Sequence, residues 1–401
     1  MFKELTSRLA FLFSMVSSIP MTNAATVTVW HAYRTQEKAA LEKVVSTFNA
    51  KRSGVEIKLV SIPYDAFADK ITAAIPRGRG PDLFIFAQDR VGDWAAAEVI
   101  EPVDFWLTDE IRGRYLSPTV EALTYDDQVY GLPMAFKMIA LFYNPRLIET
   151  PPKTTDEMIK MAKAATDPSK DRFGLVYQNA DFWYQGMWLQ GFGGRVFDKR
   201  GQPTLDSKPA VDALVFAQRL AREEGIMPQE ISSILVSTLF NRGKAAMVIN
   251  GPWFLGELEK DAPYKVAPLP IISANGQRAK PFLSAVAIIM SARTEDKPAA
   301  FGVMTYLTST EAGMIMAKEG RQTVANRAVY EDPQVAKDPV LSVFRSMLEH
   351  SIPTPNTPAM RMVWSPATTA MNKVINGGAN PAEAAKVCQA EVTKFLKGAR
   401  R

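Results

Sequence analysis

Stretches with strand period and stretches with helix period alternate along the chain from residue 26 onward. TVTVWHAY (26–33) alternates apolar and polar positions and predicts a strand. TQEKAALEKVVSTFNAKRSG then places Leu41, Val44, Val45 and Phe48 on one helical face, with Thr35 suited to the N-cap and Lys51, Arg52 and Gly54 to the end. VEIKLVSI (55–62) predicts a second strand, and a shorter helix carries Phe67 and Ile71. GPDLFIFA (80–87) is apolar enough for a buried third strand. This alternation is that of an α/β fold with a mainly parallel sheet. VYGLPMAFKMIALFYNPRLI (129–148) predicts extended segments that cross between lobes, and Pro151-Pro152 followed by TTDEMIKMAKAA opens a second α/β region. KPFLSAVAIIM (280–290) is another strong strand, DKPAAFGVMTYL and EAGMIMAKEG are helical, and the helical tail from Asp338 is interrupted by SIPTPNTP (351–358).

One stretch breaks the rhythm. FNRGKAAMVINGPW (240–253) builds a short apolar run from Ala245 to Ile249, stops it with Asn250-Gly251-Pro252, and sets Trp253 just beyond the stop. Packing alone rarely asks for that order. It marks Trp253 as a surface on which something rests.

At 401 residues the chain exceeds the size at which one core usually divides, so two lobes are expected. With 47% hydrophobic and 22% charged residues it is an ordinary globular composition. The net charge of +5 is spread among alternating signs, which argues against nucleic acid as a partner. MFKELTSR, the apolar LAFLFSMV and the small residues of SSIPMTNAA follow the order of a secretory signal cleaved after Ala24 or Ala25, and residues 1–25 are assigned to it. Cys388 is the sole cysteine, so no intrachain disulfide can form, and no cysteine stands after the signal to take a lipid anchor. An exported protein held together by its core is the expectation.

Candidate chemistry narrows quickly. His31 and His350 are the only histidines and no HExxH or paired-cysteine spacing occurs, so no metal or cofactor site is expected. His31, just after the first strand, is read as a hydrogen-bonded structural histidine. RGRGP (77–81) lacks the ending of a P-loop, and no GxSxG elbow is present. The aromatics say more. Trp30, Trp183, Trp253 and Trp364 lie at element ends or beside breakers, with polar neighbours Asp89 and Arg90, Asp181 and Asn250, whereas Trp94, Trp106 and Trp188 are read as packing residues. Flat rings present apolar faces to sugar C–H surfaces, and planar charged groups bond hydroxyls in directed pairs. A rival from another class is a glycosidase using Asp89 and Asp181 as its carboxylates.

FNRGKAAMVINGPW resembles the F-N-x-G-x-x-A-M-x-I-N-G-P-W stretch of bacterial maltose/maltodextrin-binding proteins, and GPDLFIFAQDRVGDWA resembles that family's G-P-D-I-x-F-W-A-H-D-R-F-G segment. YGLPMAFKMIALFYNPRLI, PPKTTDEM, KPFLSAVA and IPTPNTPAMRMVWSPATTAM extend the likeness over nearly all of the mature chain. The resemblance implies a two-lobed periplasmic-binding-protein fold of type II, each lobe a mainly parallel sheet flanked by helices, with the ligand in the cleft between them. The implied lobes are 26–134 with 283–329, and 135–282 with 330–401. The implied role is that of a non-enzymatic, monomeric sugar receptor delivering its ligand to the membrane permease subunits of an ABC importer. By position, Asp89 and Arg90 match sugar-hydroxyl binders, Trp253 and Trp364 match stacking aromatics, Trp183 replaces a stacking Tyr, Asp181 a polar Glu, and Phe86 a cleft Trp. Lys137 stands where the best-known members carry a sugar-binding Glu. Tyr33-Arg34 replaces an acidic-basic pair, Ala68 sits near another acidic contact, and Ser365 replaces a second aromatic. The sugar stays open among maltodextrins, trehalose and an acidic sugar, with a glycerol-phosphate-type ligand as a further alternative; for Lys137 the competing expectation is a salt-bridged wall residue.

Overall fold

The computed structural model describes residues 25–51 and 54–399. Apart from Ala25, the expected signal lies outside the described residues. Strands Ala25–His31, Val55–Ser61 and Leu83–Ala87 run parallel, with Val29 opposite both Leu59 and Leu83. Helices Thr35–Ala50 and Tyr64–Ala74 connect them. The first helix turns Ala40, Leu41, Val44 and Val45 inward, as its spacing predicts. Its cap differs from expectation: Arg34 is extended (φ −125°, ψ 164°) and takes the N-cap position, while Thr35 begins the helix at φ 43°. The carbonyl of Arg34 already accepts the Lys38 N–H at 3.2 Å, so the helix starts one residue earlier.

The strand Phe282–Met290 joins this sheet antiparallel to Leu83–Ala87 on one edge and to Leu132–Lys137 on the other; its first residues run parallel to Ile352–Pro353. A second sheet has the order Lys265–Ala267, Ala140–Tyr143, Ala245–Asn250, Phe173–Val176. The two-lobed α/β architecture holds, but the second sheet is not mainly parallel: two of its three pairings are antiparallel. The reason lies in how the chain enters. Ala140–Tyr143 arrives from the first sheet and runs away from the crossing, whereas Ala245–Asn250 runs toward it, so Ala140 meets Asn250 at the cleft edge. The same logic sets Phe282–Met290, which begins at the crossing, against Leu83–Ala87, which ends there.

Two apolar clusters follow from the two sheets. Val29, Phe67, Phe84, Val91 and Ile288 belong to one, and Phe142, Leu175, Trp188, Val248 and Phe254 to the other, all fully buried. Burying each such side chain contributes about 1.5–3 kcal/mol, so each lobe has its own core rather than a share in one. Membership changes between Ala135 and Phe136, between Leu283 and Ala285, and around Val340 and Leu341. Gln88 pins the second of these crossings: buried after Leu83–Ala87, its Oε1 accepts from Ala285 N at 2.8 Å and Ser284 Oγ at 3.0 Å, and its Nε2 donates to Leu283 O at 3.4 Å. No helix among the described residues is long and apolar enough to cross a membrane.

Candidate binding site

The stop after Ile249 has a steric purpose. Asn250 Oδ1 accepts the Gly251 N–H at 2.9 Å and the Tyr184 hydroxyl at 3.0 Å, ending the strand at the cleft edge. Pro252 opens a short 3-10 turn, Pro252–Gly256, that folds Trp253 back over the chain. A Cβ on Gly251 would lie 2.1 Å from Trp253 Cζ3, so only glycine leaves the indole its place. Trp183 stands beside it, ring centroids 5.7 Å apart and tilted by 51°. Trp183 is the one residue of the helix Phe182–Gly191 that is not buried. A helix otherwise enclosed on all sides thus offers a single indole to the outside.

Opposite these rings the first lobe supplies a second aromatic surface. Tyr64 stacks on Phe86 at 5.4 Å and 23°, and Phe86 stacks on Phe67 at 5.0 Å and 8°. Phe86 is 7% exposed and serves as the underlay, whereas Tyr64 is 51% exposed. Tyr33, Glu37, Tyr64, Phe86, Lys137, Trp183 and Trp253 line one cavity of about 320 Å³ between the lobes. A second, of about 520 Å³, adjoins it and shares Glu37, Lys137 and Trp253; Arg34, Arg321 and Gln322 also border it.

Lys137 is ion-paired. Its Nζ lies 3.9 Å from Glu37 Oε1, which also accepts from Gln322 Nε2 at 3.1 Å. A carboxylate acceptor therefore stands beside this lysine. His31 is 1% exposed, its Nδ1 accepts the Tyr33 N–H at 3.2 Å, and burial lowers its pKa, so it acts as the structural support expected for it. No hydrogen bond of ideal geometry reaches the buried Tyr33 hydroxyl it positions or Gln322 Oε1, although the Gln322 side chain lies near enough to Tyr33 to pull its pKa down. Burial first, and Glu37 second, hold the Tyr33 hydroxyl well above the usual phenol range.

Of the residues singled out in the sequence, the structure brings Tyr33, Arg34, Phe86, Lys137, Trp183 and Trp253 to these cavities. Asp89, Arg90, Asp181 and Trp364 border neither. Asp89 and Arg90 form the 3-10 turn Gln88–Arg90 beyond Phe86, with Arg90 Nε 3.9 Å from Asp89 Oδ2. Desolvation raises the Asp89 carboxyl above its ordinary pKa against the pull of Arg90. Asp181 caps the helix that carries Trp183, its Oδ1 accepting the Trp183 N–H at 2.8 Å. Trp364 is half-buried in the helix Arg361–Ile375 and meets Phe182 at 6.0 Å and Phe282 at 6.4 Å, edge to face. Trp30 lies under Lys70, 5.3 Å from its Nζ, outside both cavities. Trp94 and Trp188 are packing residues, 2% and 0% exposed, and Trp106 stacks on Phe301.

Sequence reasoning missed Tyr64, Glu37 and Gln322. Tyr64 follows Pro63, the same pairing of breaker and aromatic that marks Trp253, and that signal was available. Glu37 looks like any solvated residue in a first helical turn, and nothing local distinguishes it.

The model for the family described as bacterial extracellular solute-binding protein matches residues 31–314. A maltotriose-binding protein of Pyrococcus abyssi is 30% identical over 383 residues, covering 93% of this chain and 83% of the relative. A galactooligosaccharide-binding protein of Bacillus subtilis is 25% identical over 363 residues, covering 87% and 85%. Among solved structures, a cyclo/maltodextrin-binding protein complexed with maltotetraose is similar at a TM-score of 0.86 and 28% identity, over 92% of this chain and 97% of that one. A Thermus thermophilus maltotriose-binding protein bound with maltotriose gives 0.79 and 26%, over 92% and 100%.

Proposed function

The chain belongs to the bacterial extracellular solute-binding protein family, and on that premise we propose that it is the periplasmic sugar receptor of an ABC importer, binding a maltodextrin-like α-glucoside between its lobes. The observation that carries this reading is the pair Trp183 and Trp253 facing Tyr64 and Phe86 across one cavity, with Glu37 and Lys137 as acceptor and donor between them. Sugar rings stack on the indoles of the second lobe, and the ionic groups of the first lobe and the crossing complete their hydroxyl bonds. Asp89, Arg90, Asp181 and Trp364 extend the cleft for further sugar units. The lobes are 26–134 with 283–329 and 135–282 with 330–401; they close as rigid bodies because the ligand gains contacts only in the closed form. Export by a cleaved leader, delivery to permease subunits and action as a monomer complete the proposal.

Asp89 and Asp181 do not act as a hydrolytic pair in this account. Asp181 is engaged as a helix cap and Asp89 faces Arg90, arrangements that bind and position rather than transfer protons. Calorimetry against maltotriose, trehalose, sucrose and a galacto-oligosaccharide tests the reading. Saturable binding that favours the α-glucoside, with the saccharide recovered intact, is expected. No binding to any of them, or release of shorter sugars, would refute it.

A further inference from the structure

The two adjoining cavities differ in chemistry. The first is walled by aromatics on both sides. The second is bordered by Arg34, Lys137 and Arg321 from the first lobe and the crossing, with Glu37 as its one carboxylate. The second lobe supplies an apolar wall, Pro252, Trp253, Leu255 and Leu258. Glu37 is already engaged by Lys137 and Gln322. Arg34 and Arg321 make no ion pair among the described residues, although both are exposed. The acidic residues nearest in sequence on the opposite wall do not compensate, since Glu257 and Glu259 border a separate outward depression with Ser237 and Asn241. Gln322 and Tyr33, both more than nine-tenths buried, meet at this boundary: no ideal hydrogen bond reaches the Tyr33 hydroxyl or Gln322 Oε1, yet the Gln322 side chain is near enough to pull the Tyr33 pKa down. Arg321 and Thr35, on the same rim, are held at φ 51° and 43°, left-handed conformations that a non-glycine residue adopts only under constraint from its surroundings.

We propose that this second cavity receives an anionic group, a carboxylate or a phosphate, at one end of a saccharide whose neutral rings lie on Trp253 and Trp183. The proposal rests on the sugar-receptor reading and sharpens its ligand class. Cations surplus to their local carboxylate, set against an apolar wall that limits screening, favour an anion over the hydroxymethyl group of neutral glucose.

The test compares three ligands on the full mature chain by calorimetry at low and high salt: maltotriose, its counterpart with one terminal glucose oxidised to glucuronate, and its counterpart with a terminal phosphate. The expected result is that at least one anionic form binds about tenfold or more tightly than maltotriose at low salt. That preference should shrink in high salt and fall toward unity in Arg321→Gln, whose folding is checked by its melting curve. The carboxylate and phosphate arms decide which anion is preferred. Equal or weaker binding of both anionic forms, with maltotriose still bound, overturns this proposal alone. Failure of all three to bind overturns the sugar-receptor reading together with it. A preference that survives intact in Arg321→Gln and in high salt also overturns the proposal.

Discussion

On the first lobe the cleft edge carries Tyr33, Arg34 and Glu37 after one strand and Tyr64 over Phe86 after another; on the second lobe it carries Trp183 and Trp253. The first lobe's strands end at the cleft and release short polar turns there, the position where open α/β sheets place ligands. The second lobe's contribution comes from a strand stop and from the first turn of an enclosed helix, each set to expose an indole. The contrast teaches a division of labour. Under the proposed function, the rings give area and tolerate many sugars, whereas the ionic groups on the other side discriminate among them. A ligand touching both is bound only when the lobes approach.

The largest effect is expected from the second lobe. Trp253→Ala should weaken sugar binding by about 1–3 kcal/mol in calorimetry. Gly251→Ala should do nearly the same without touching the indole, because its Cβ would occupy the place of Trp253 Cζ3, 2.1 Å away, while φ −98° is open to alanine. Unchanged affinity in both would return Trp253 to the core. On the first lobe, Glu37→Gln should weaken maltotriose binding by less than Trp253→Ala does, by about 0.5–1 kcal/mol, since the amide oxygen beside Lys137 still accepts. A loss as large as that of Trp253→Ala would erase the proposed asymmetry.

The smallest effect concerns stability and pH. Desolvation raises the Asp89 pKa in the fold above its ordinary 3.8, but the side chain is 44% exposed, so solvent screens most of the effect on stability. The unfolded chain then loses this proton first, so stability from this group declines as pH rises from the unfolded pKa through the folded one, and stays lower above it. Asp89→Asn should therefore leave the ligand-free protein slightly more stable than the parent at pH 7 and equal to it in acid. Melting curves across pH check this, and a variant less stable at pH 7 would contradict the sign.

Much of the fold was legible in the chain because periodicity encodes which face of an element is buried. The opening strands and helices and the stop at Asn250-Gly251-Pro252 were read from that alone. Strand direction in the second sheet was not, since it depends on which way the chain traverses the crossing at residues 138–139, and no local pattern records that. At the site, aromatics beside breakers were visible, although Tyr64 was passed over. Glu37 was hidden because its meeting with Lys137 joins residues 100 positions apart, and only the folded sheet brings them together. Trp364, beside Ser365 and Pro366, lies inside the helix Arg361–Ile375 rather than at an element end, half-buried with its ring edge to face with Phe182 and Phe282, a placement that no local pattern records.

The convergence of both lobes on one ligand is tested most directly by amide hydrogen exchange with and without saturating maltotriose. The account predicts slowed exchange in residues 33–37 and in residues 253–256 together, with the outlying helix Pro381–Ala399 unaffected. Protection confined to one of those two segments, or absent from both, would contradict it.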